Sequence, residues 1–144
     1  MKEFSRIMEV RWSDLDPNFH VRHSVYYDWA AFCRFEFLND NGLTADIMRN
    51  LSVGPILFRE ECVFRKEIKF GDHIHINLSL SKSRKDFSRW SIQHHIYKDK
   101  DNLAAVLNVD GAWMDINKRK LATPPEEVHM VFSKMPMAEN FEWS

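Results

Sequence analysis

Residues 12–32 read WSDLDPNFHVRHSVYYDWAAF, and this stretch decides what kind of molecule the chain can fold into. Asp14 and Asp16 bracket Leu15, and Pro17 follows at once. Proline has no N–H to donate and disfavours the helical region for the residue before it, so Asp16 is expected to be extended or in a turn. A helix should then begin, with Ser24 as N-cap and Asp28 in the first turn. It should run to about Asn39 and stop at Asn41–Gly42, where a glycine can take up the left-handed conformation. Val25, Trp29, Phe32, Cys33 and Phe37 fall on one helical stripe, and Tyr26, Ala30, Ala31 and Phe35 widen it. That is more apolar surface than one packed face needs, so the helix should be wrapped on most sides.

The wrapping is expected from strands on either side of this segment. Residues 3–11 read as a first strand, with Phe4, Ile7 and Val10 among its apolar positions. Ile56 to Phe70 reads as another, closing at the turn Gly71–Asp72. His73 to Leu80 alternates polar and apolar residues, the mark of a half-buried strand. Ser83 to Asp86 is turn-like; Trp90, Ile92 and Ile96 share a face in the next strand, and Leu103 to Met114 gives one more. A short helix is expected after Pro124–Pro125. The order is β-α-β-β-β-β, and short turns between successive strands imply an antiparallel sheet. The expected class is therefore α+β, with about five strands and the long aromatic helix on the apolar face of the sheet.

A chain of 144 residues suits one domain, 1–144, with a proper core. The net charge of −1 gives no long-range attraction for nucleic acid or anionic lipid, so neither partner is expected. MKEFSRIMEVRW has no apolar leader region and no 18-residue apolar run follows, which points to a cytoplasmic protein. Cys33 and Cys62 are too few and too far apart for a disulfide framework or a zinc clip. Neither has an evident base beside it, and Cys33 lies on the helix stripe. On the alternating strand His73 and His75 face away from the core, and His95 is expected opposite His75 while His94 points inward as a satisfied core histidine. No fourth ligand accompanies these imidazoles, so no metal site and no cofactor is expected.

The opening stretch resembles the N-terminal signature of the 4-hydroxybenzoyl-CoA thioesterase family of hotdog-fold acyl-CoA thioesterases. That signature is Asp-x-Asp after strand one, a loop often containing His-Val-Asn-Asn, and a Tyr opening the central helix. Here it reads Asp14-Leu15-Asp16, His20-Val21-Arg22-His23 and Tyr26. Phe70-Gly71-Asp72 before an alternating strand is similar to a second family pattern. A third is Gly111-Ala112-Trp113-Met114-Asp115, followed by a basic turn and a proline. The resemblance spans roughly the whole chain in the right order. It departs where Arg22 and His23 replace the two asparagines, and where Ala31 and Phe32 replace acidic residues common in mid-helix. Some bacterial branches carry a histidine at the place of His23, seven residues after the catalytic aspartate.

The resemblance implies a sheet wrapped around one central helix, with Asp16 as nucleophile or general base for hydrolysis of an acyl-CoA to a carboxylic acid and free CoA. Backbone N–H groups around His23 and Ser24, unpaired in the first helical turn, would hold the oxyanion. His20 and Tyr26 would line the substrate pocket, and His23 could bond the carboxylate or the substrate. The basic turn at Ser83, Arg84 and Lys85 would hold coenzyme phosphates, which suit Arg and Lys. Asp14 is expected to be structural. A homodimer, or a homotetramer built from dimers, is implied. Two further readings stay open from sequence: a non-catalytic acyl-thioester-binding protein, and a hotdog hydratase or dehydratase. The residues alone also allow Asp16 to be only a turn aspartate.

Overall fold

The computed structural model describes residues 3–144. The chain begins with β1 (Ser5–Met8), passes through a 3-10 turn at Trp12–Asp14 and enters α1 (His23–Asp40). A short α2 (Ala45–Asn50) leads to the long β2 (Val53–Phe64), then β3 (Ile74–Asn77), β4 (Ser79–Ser83), β5 (Arg89–Lys98) and β6 (Asn102–Asp115). The two-residue β7 (Lys120–Leu121), α3 (Glu126–Phe132) and β8 (Met137–Trp143) complete it. All strands belong to one sheet. β5 pairs with β6 along one side and with β3 and β4 in succession along the other. β2 extends the sheet beyond β6, while β1 and β8 flank β3 and β4. Every pairing is antiparallel except β4 with β8.

The expected strands are present with altered limits, and the changes trace to specific turns and hydrogen bonds. The first strand spans Ser5–Met8 instead of residues 3–11, because the chain turns into the 3-10 segment at Trp12. The strand expected over 56–70 spans Val53–Phe64, and it ends where Arg65 and Lys66 both donate their N–H groups to Ala104 O. The strand expected over 73–80 is split in two at Leu78. Asn77 is responsible: its Oδ1 accepts the His95 N–H at 2.7 Å, and its carbonyl accepts from the His94 ring at 2.8 Å. The Leu78 N–H turns away to Phe4 O. The helix expected after Pro124–Pro125 is α3, whereas α2, β7 and β8 lay outside the expected order.

The Cβ-less Gly111 sits where β6 passes under Trp90. A methyl group there would come within 2.4 Å of the indole ring and 2.6 Å of the Ile56 carbonyl, so the close approach of β2, β5 and β6 at this point requires glycine.

The helix α1 ends as expected. Gly42, at φ +87°, donates to Asn39 O, and Leu43 N–H reaches back to Leu38 O at 2.9 Å, the paired bonds of a Schellman cap. Its start is corrected. Arg22 is the N-cap, so Ser24 is the second helical residue and Asp28 lies beyond the first turn. Val25, Tyr26, Trp29, Ala30, Cys33, Phe37 and Leu38 are buried in one cluster with the apolar face of the sheet, including Ile76, Ile92, Ile96 and Leu107. The stripe is narrower than expected: Phe32 and Phe35 are exposed, as is Ala31. No helix among the described residues is long and apolar enough to cross a membrane.

Candidate active site

The Asp-Pro stretch folds into two layers with different tasks. Asp14 is completely buried. Its Oδ2 accepts the Arg11 N–H at 2.9 Å and its Oδ1 accepts from the Arg11 guanidinium at 2.9 Å. Burial alone would raise the pKa of this carboxyl. The hydrogen bonds from Arg11 and the positive charges of Arg11 and Arg22 outweigh it and hold the group below its ordinary value. Asp14 also anchors the next loop through its carbonyl, which accepts the Arg22 N–H at 2.9 Å. It is a structural carboxylate, as the sequence suggested.

Asp16 is half-buried and points into a different environment. Its Oδ1 accepts the backbone N–H groups of Asn18 at 2.9 Å and His20 at 3.1 Å. Its own N–H goes to His20 O at 2.8 Å, and its carbonyl accepts from Phe19, which is forced to φ +64°. A bulky residue in the left-handed region stores strain, and such strain persists only where surrounding bonds over-determine the loop. The loop is pinned from outside as well, by the Val21 N–H to Ile68 O at 2.7 Å and by bridges Leu15–Val21 and His20–Lys69. One carboxylate oxygen is thus fixed by the chain, and no protein donor in the described residues engages Oδ2.

Asp16, His20, His23 and Tyr26 line one cavity of about 390 Å³, together with Phe64, Arg65, Lys66 and Glu67 from the end of β2 and the loop after it. His23 opens α1, whose first-turn N–H groups have no intrahelical acceptors and sit at the positive end of the helix dipole. His20 Nε2 lies 3.1 Å from a Glu67 carboxylate oxygen. The buried Tyr26 ring packs edge-on against Phe64 with centroids 4.9 Å apart. Burial, followed by nearby negative charge, pushes its hydroxyl up to about 12, so it stays protonated and available as a donor at neutral pH.

Other expected residues lie elsewhere. The Ser24 side chain is exposed and accepts from Arg22 Nε at 3.2 Å; it does not line the cavity. Ser83 is completely buried, its hydroxyl near the carbonyls of Arg84 and Arg89 at 2.7 and 3.3 Å, which removes it from contact with any ligand. Arg84 and Lys85 are exposed on the turn after β4, and Arg84 borders a separate cavity with Lys82, Arg89 and Phe58. His95 is not opposite His75. Asn77 takes that place, and the His75 ring stacks on Tyr97 at 4.9 Å instead. His94 is buried as expected. Burial pushes both thiols up, Cys33 to about 12 and Cys62 to about 11, so neither forms a thiolate at neutral pH. Arg65, Lys66 and Glu67 were not singled out from the sequence. Their signal was a charged triplet directly after Cys62-Val63-Phe64.

This arrangement, a fixed carboxylate sharing a cavity with a helix N-terminus inside a wrapped-helix fold, has relatives. The sequence pattern of the Thioesterase-like superfamily matches residues 10–132. The chain belongs to this superfamily. A curated protein of Aquifex aeolicus (strain VF5), named "Putative esterase", is 24% identical over 119 residues, covering 83% of this chain and 89% of its own. A Staphylococcus aureus protein solved in complex with CoA superposes with a TM-score of 0.84 at 18% identity, covering 95% of this chain and 88% of the other. The 1,4-dihydroxy-2-naphthoyl-CoA thioesterase of Synechocystis does so with a TM-score of 0.81 at 16% identity, covering 92% and 97%. The fold is the hotdog fold that the opening stretch resembled: a curled, mainly antiparallel sheet around one long helix.

Proposed function

We propose that the protein hydrolyses acyl-CoA thioesters, releasing a carboxylic acid and free CoA, with Asp16 as the group that activates water or attacks the carbonyl. The observation that carries this reading is the placement of Asp16, its Oδ1 held by two backbone N–H groups in a cavity shared with the start of α1. Oδ2 is left to take a proton from water or to form the new C–O bond. The tetrahedral oxyanion would lie against the N–H groups of His23 and Ser24, where the helix dipole favours negative charge. Ser24 would therefore act through its backbone and not through its hydroxyl. Tyr26, a protonated donor one turn into the helix, would orient the acyl group, and His23 would flank the carbonyl. His20, paired with Glu67, would hold the loop that carries Asp16. Family membership and the CoA complex of the Staphylococcus aureus relative support the substrate class.

The test is release of free thiol from a panel of acyl-CoAs by the wild type and by Asp16→Asn. Turnover by the wild type that survives unchanged in the variant removes Asp16 from the mechanism.

A homodimer belongs to the same reading. β2 pairs only with β6, so twelve residues of backbone edge are open, and Leu57, Phe58, Val63 and Phe64 on it are exposed. A long open edge with exposed apolar residues on either side of Arg59-Glu60-Glu61 invites pairing with a second copy. Because Phe64 lines the Asp16 cavity, the partner would help close the site. Sedimentation should find a dimer at low micromolar concentration; an active monomer there contradicts it.

A further inference from the structure

A second cavity, of about 380 Å³, lies at the other end of α1 and shares no residue with the first. That is within the range of about 300–1,000 Å³ typical of small-molecule sites. Its wall is apolar: Phe35, Leu38, Met48, Trp90, Trp113 and Phe132 dominate it. The one charged group on the wall is the Arg34 guanidinium. Among the described residues Arg34 makes no ion pair within 4 Å, and Glu60, whose negative charge acts on it from beyond that range, is exposed on β2.

The recorded partner of the guanidinium is neutral. Arg34 Nη1 lies 3.0 Å from His94 Nε2. His94 Nδ1 lies 2.8 Å from Asn77 O, a carbonyl that can only accept, so the proton sits on Nδ1 and Nε2 accepts from Arg34. His94 thereby takes one of five guanidinium N–H groups and supplies no negative charge. The rings of Trp90 and Trp113 form part of the wall, and their indole N–H groups are buried with no acceptor among the described residues. Among the lining side chains there is no carboxylate, amide or hydroxyl. The wall therefore carries a cation with no strong side-chain acceptor beside it.

We propose that this cavity binds a small carboxylate on an apolar body, such as a medium-chain fatty acid, with the carboxylate paired to Arg34. Charge complementarity selects the head group. An uncompensated cation in apolar surroundings is costly, and guanidinium matches a carboxylate in two-point geometry. The aromatic and aliphatic wall selects the body. Eleven residues separate His23 from Arg34, roughly 16 Å along the helix axis, so this site is distinct from the proposed hydrolytic one. It stands whether or not Asp16 is catalytic.

The experiment titrates the full chain, below micelle-forming concentrations, with decanoate and with 1-decanol, the same body without the charge. Binding is read by calorimetry and by NMR shifts of the Trp90 and Trp113 indole N–H signals. The wild type should bind decanoate at least ten-fold more tightly than decanol, with both indole signals moving. Arg34→Met should abolish the preference while still accepting decanol, and Asp16→Asn should leave decanoate binding unchanged. Ala31→Trp, on the exposed edge of the cavity, should weaken both ligands and keeps the test available if Arg34→Met does not fold. Equal affinities for decanoate and decanol in the wild type overturn the proposal. So does decanoate binding that moves neither indole signal, or that is lost in Asp16→Asn and kept in Arg34→Met.

Discussion

At its first turn, α1 faces a cavity with Asp16, His20, His23, Arg65, Lys66 and Glu67 around it, charges of both signs within reach of solvent. Three turns later the same helix borders a cavity whose side chains are apolar apart from Arg34. The helix runs through both environments, but the loops that complete them differ. At the first turn a strained, hydrogen-bonded loop places a carboxylate in the cavity that the start of α1 borders. At the far end the sheet presents His94 and two tryptophans. The contrast teaches that function on this scaffold is decided by what faces the helix at each level, because the helix backbone supplies spare donors only at its start.

The largest effect should come from breaking the polar end. Asp16→Asn keeps shape and still accepts N–H bonds, but the amide cannot attack or take a proton. Turnover should fall about 10²-fold or more with little change in melting temperature. Asp14→Asn, two residues away, should do the reverse. Its charge holds Arg11 and the 3-10 turn from a buried position, so stability should drop by about 1–3 kcal/mol while kcat of the folded fraction stays near wild type. The Asp14 contribution is present above its unfolded pKa near 4 and is lost as pH falls through the lower folded value. Urea denaturation beside a thiol-release assay separates the two aspartates. If Asp14→Asn loses turnover as Asp16→Asn does, the division of labour fails.

Which of these features could be read in the sequence depended on whether their cause was local. Asp16–Pro17, Gly42 and the Gly71 turn follow from backbone chemistry within a few residues, and all three stand where expected. The split of the strand at Leu78 did not, because Asn77 acts through β5, seventeen and eighteen residues on. Ser24 was placed as N-cap because its side chain suits the role. Instead the helix starts two residues earlier, where Asp14 O and Ser13 O hold the Arg22 backbone and guanidinium. β8 was hidden because MAENFEW does not alternate cleanly, and it is held as a parallel edge on β4. Phe32 and Phe35 read as core by periodicity, which cannot say whether the sheet or a second copy covers them. Arg34 went unremarked, although a cation beside Cys33 and four residues after Ala30 falls on the buried side of the helix.

A smaller effect should come from the apolar end. Burial, then the charge of Arg34, pushes His94 down to about 3 from an ordinary 6.5, against the opposing bond to Asn77 O. The unfolded chain therefore binds a proton between pH 6.5 and 3 that the folded chain refuses, and stability falls as pH falls through that window. The protein should be less stable at pH 5 than at pH 7 by on the order of 2 kcal/mol from this group. His94→Gln should remove most of that difference, whatever its own stability at pH 7. An unchanged difference in paired denaturation curves would mean that His94 takes up its proton alike in the folded and unfolded chain, and at pH 5 its Nε2 could then not accept from Arg34.

The smallest effect concerns the coenzyme, and it asks whether either end of α1 holds it. Arg84 and Lys85 stand on the turn after β4, and in one chain Arg84 borders a cavity other than that of Asp16. For this turn to hold phosphates of a thioester at Asp16, the turn of one protomer must serve the site of its partner. Such contacts act alike on ground and transition states, so removing both charges should raise KM by about three- to ten-fold with kcat unchanged. The rise should shrink in high salt, since exposed charges are screened beyond about 10 Å at 0.1 M ionic strength. It should vanish for an acyl-N-acetylcysteamine, which has no nucleotide. The control is Arg65→Ala with Lys66→Ala, two cations that line the Asp16 cavity itself. If that pair raises KM and the Arg84→Ala, Lys85→Ala pair does not, the coenzyme lies over the first turn of α1 in the same chain. The turn after β4 is then only a solvated turn.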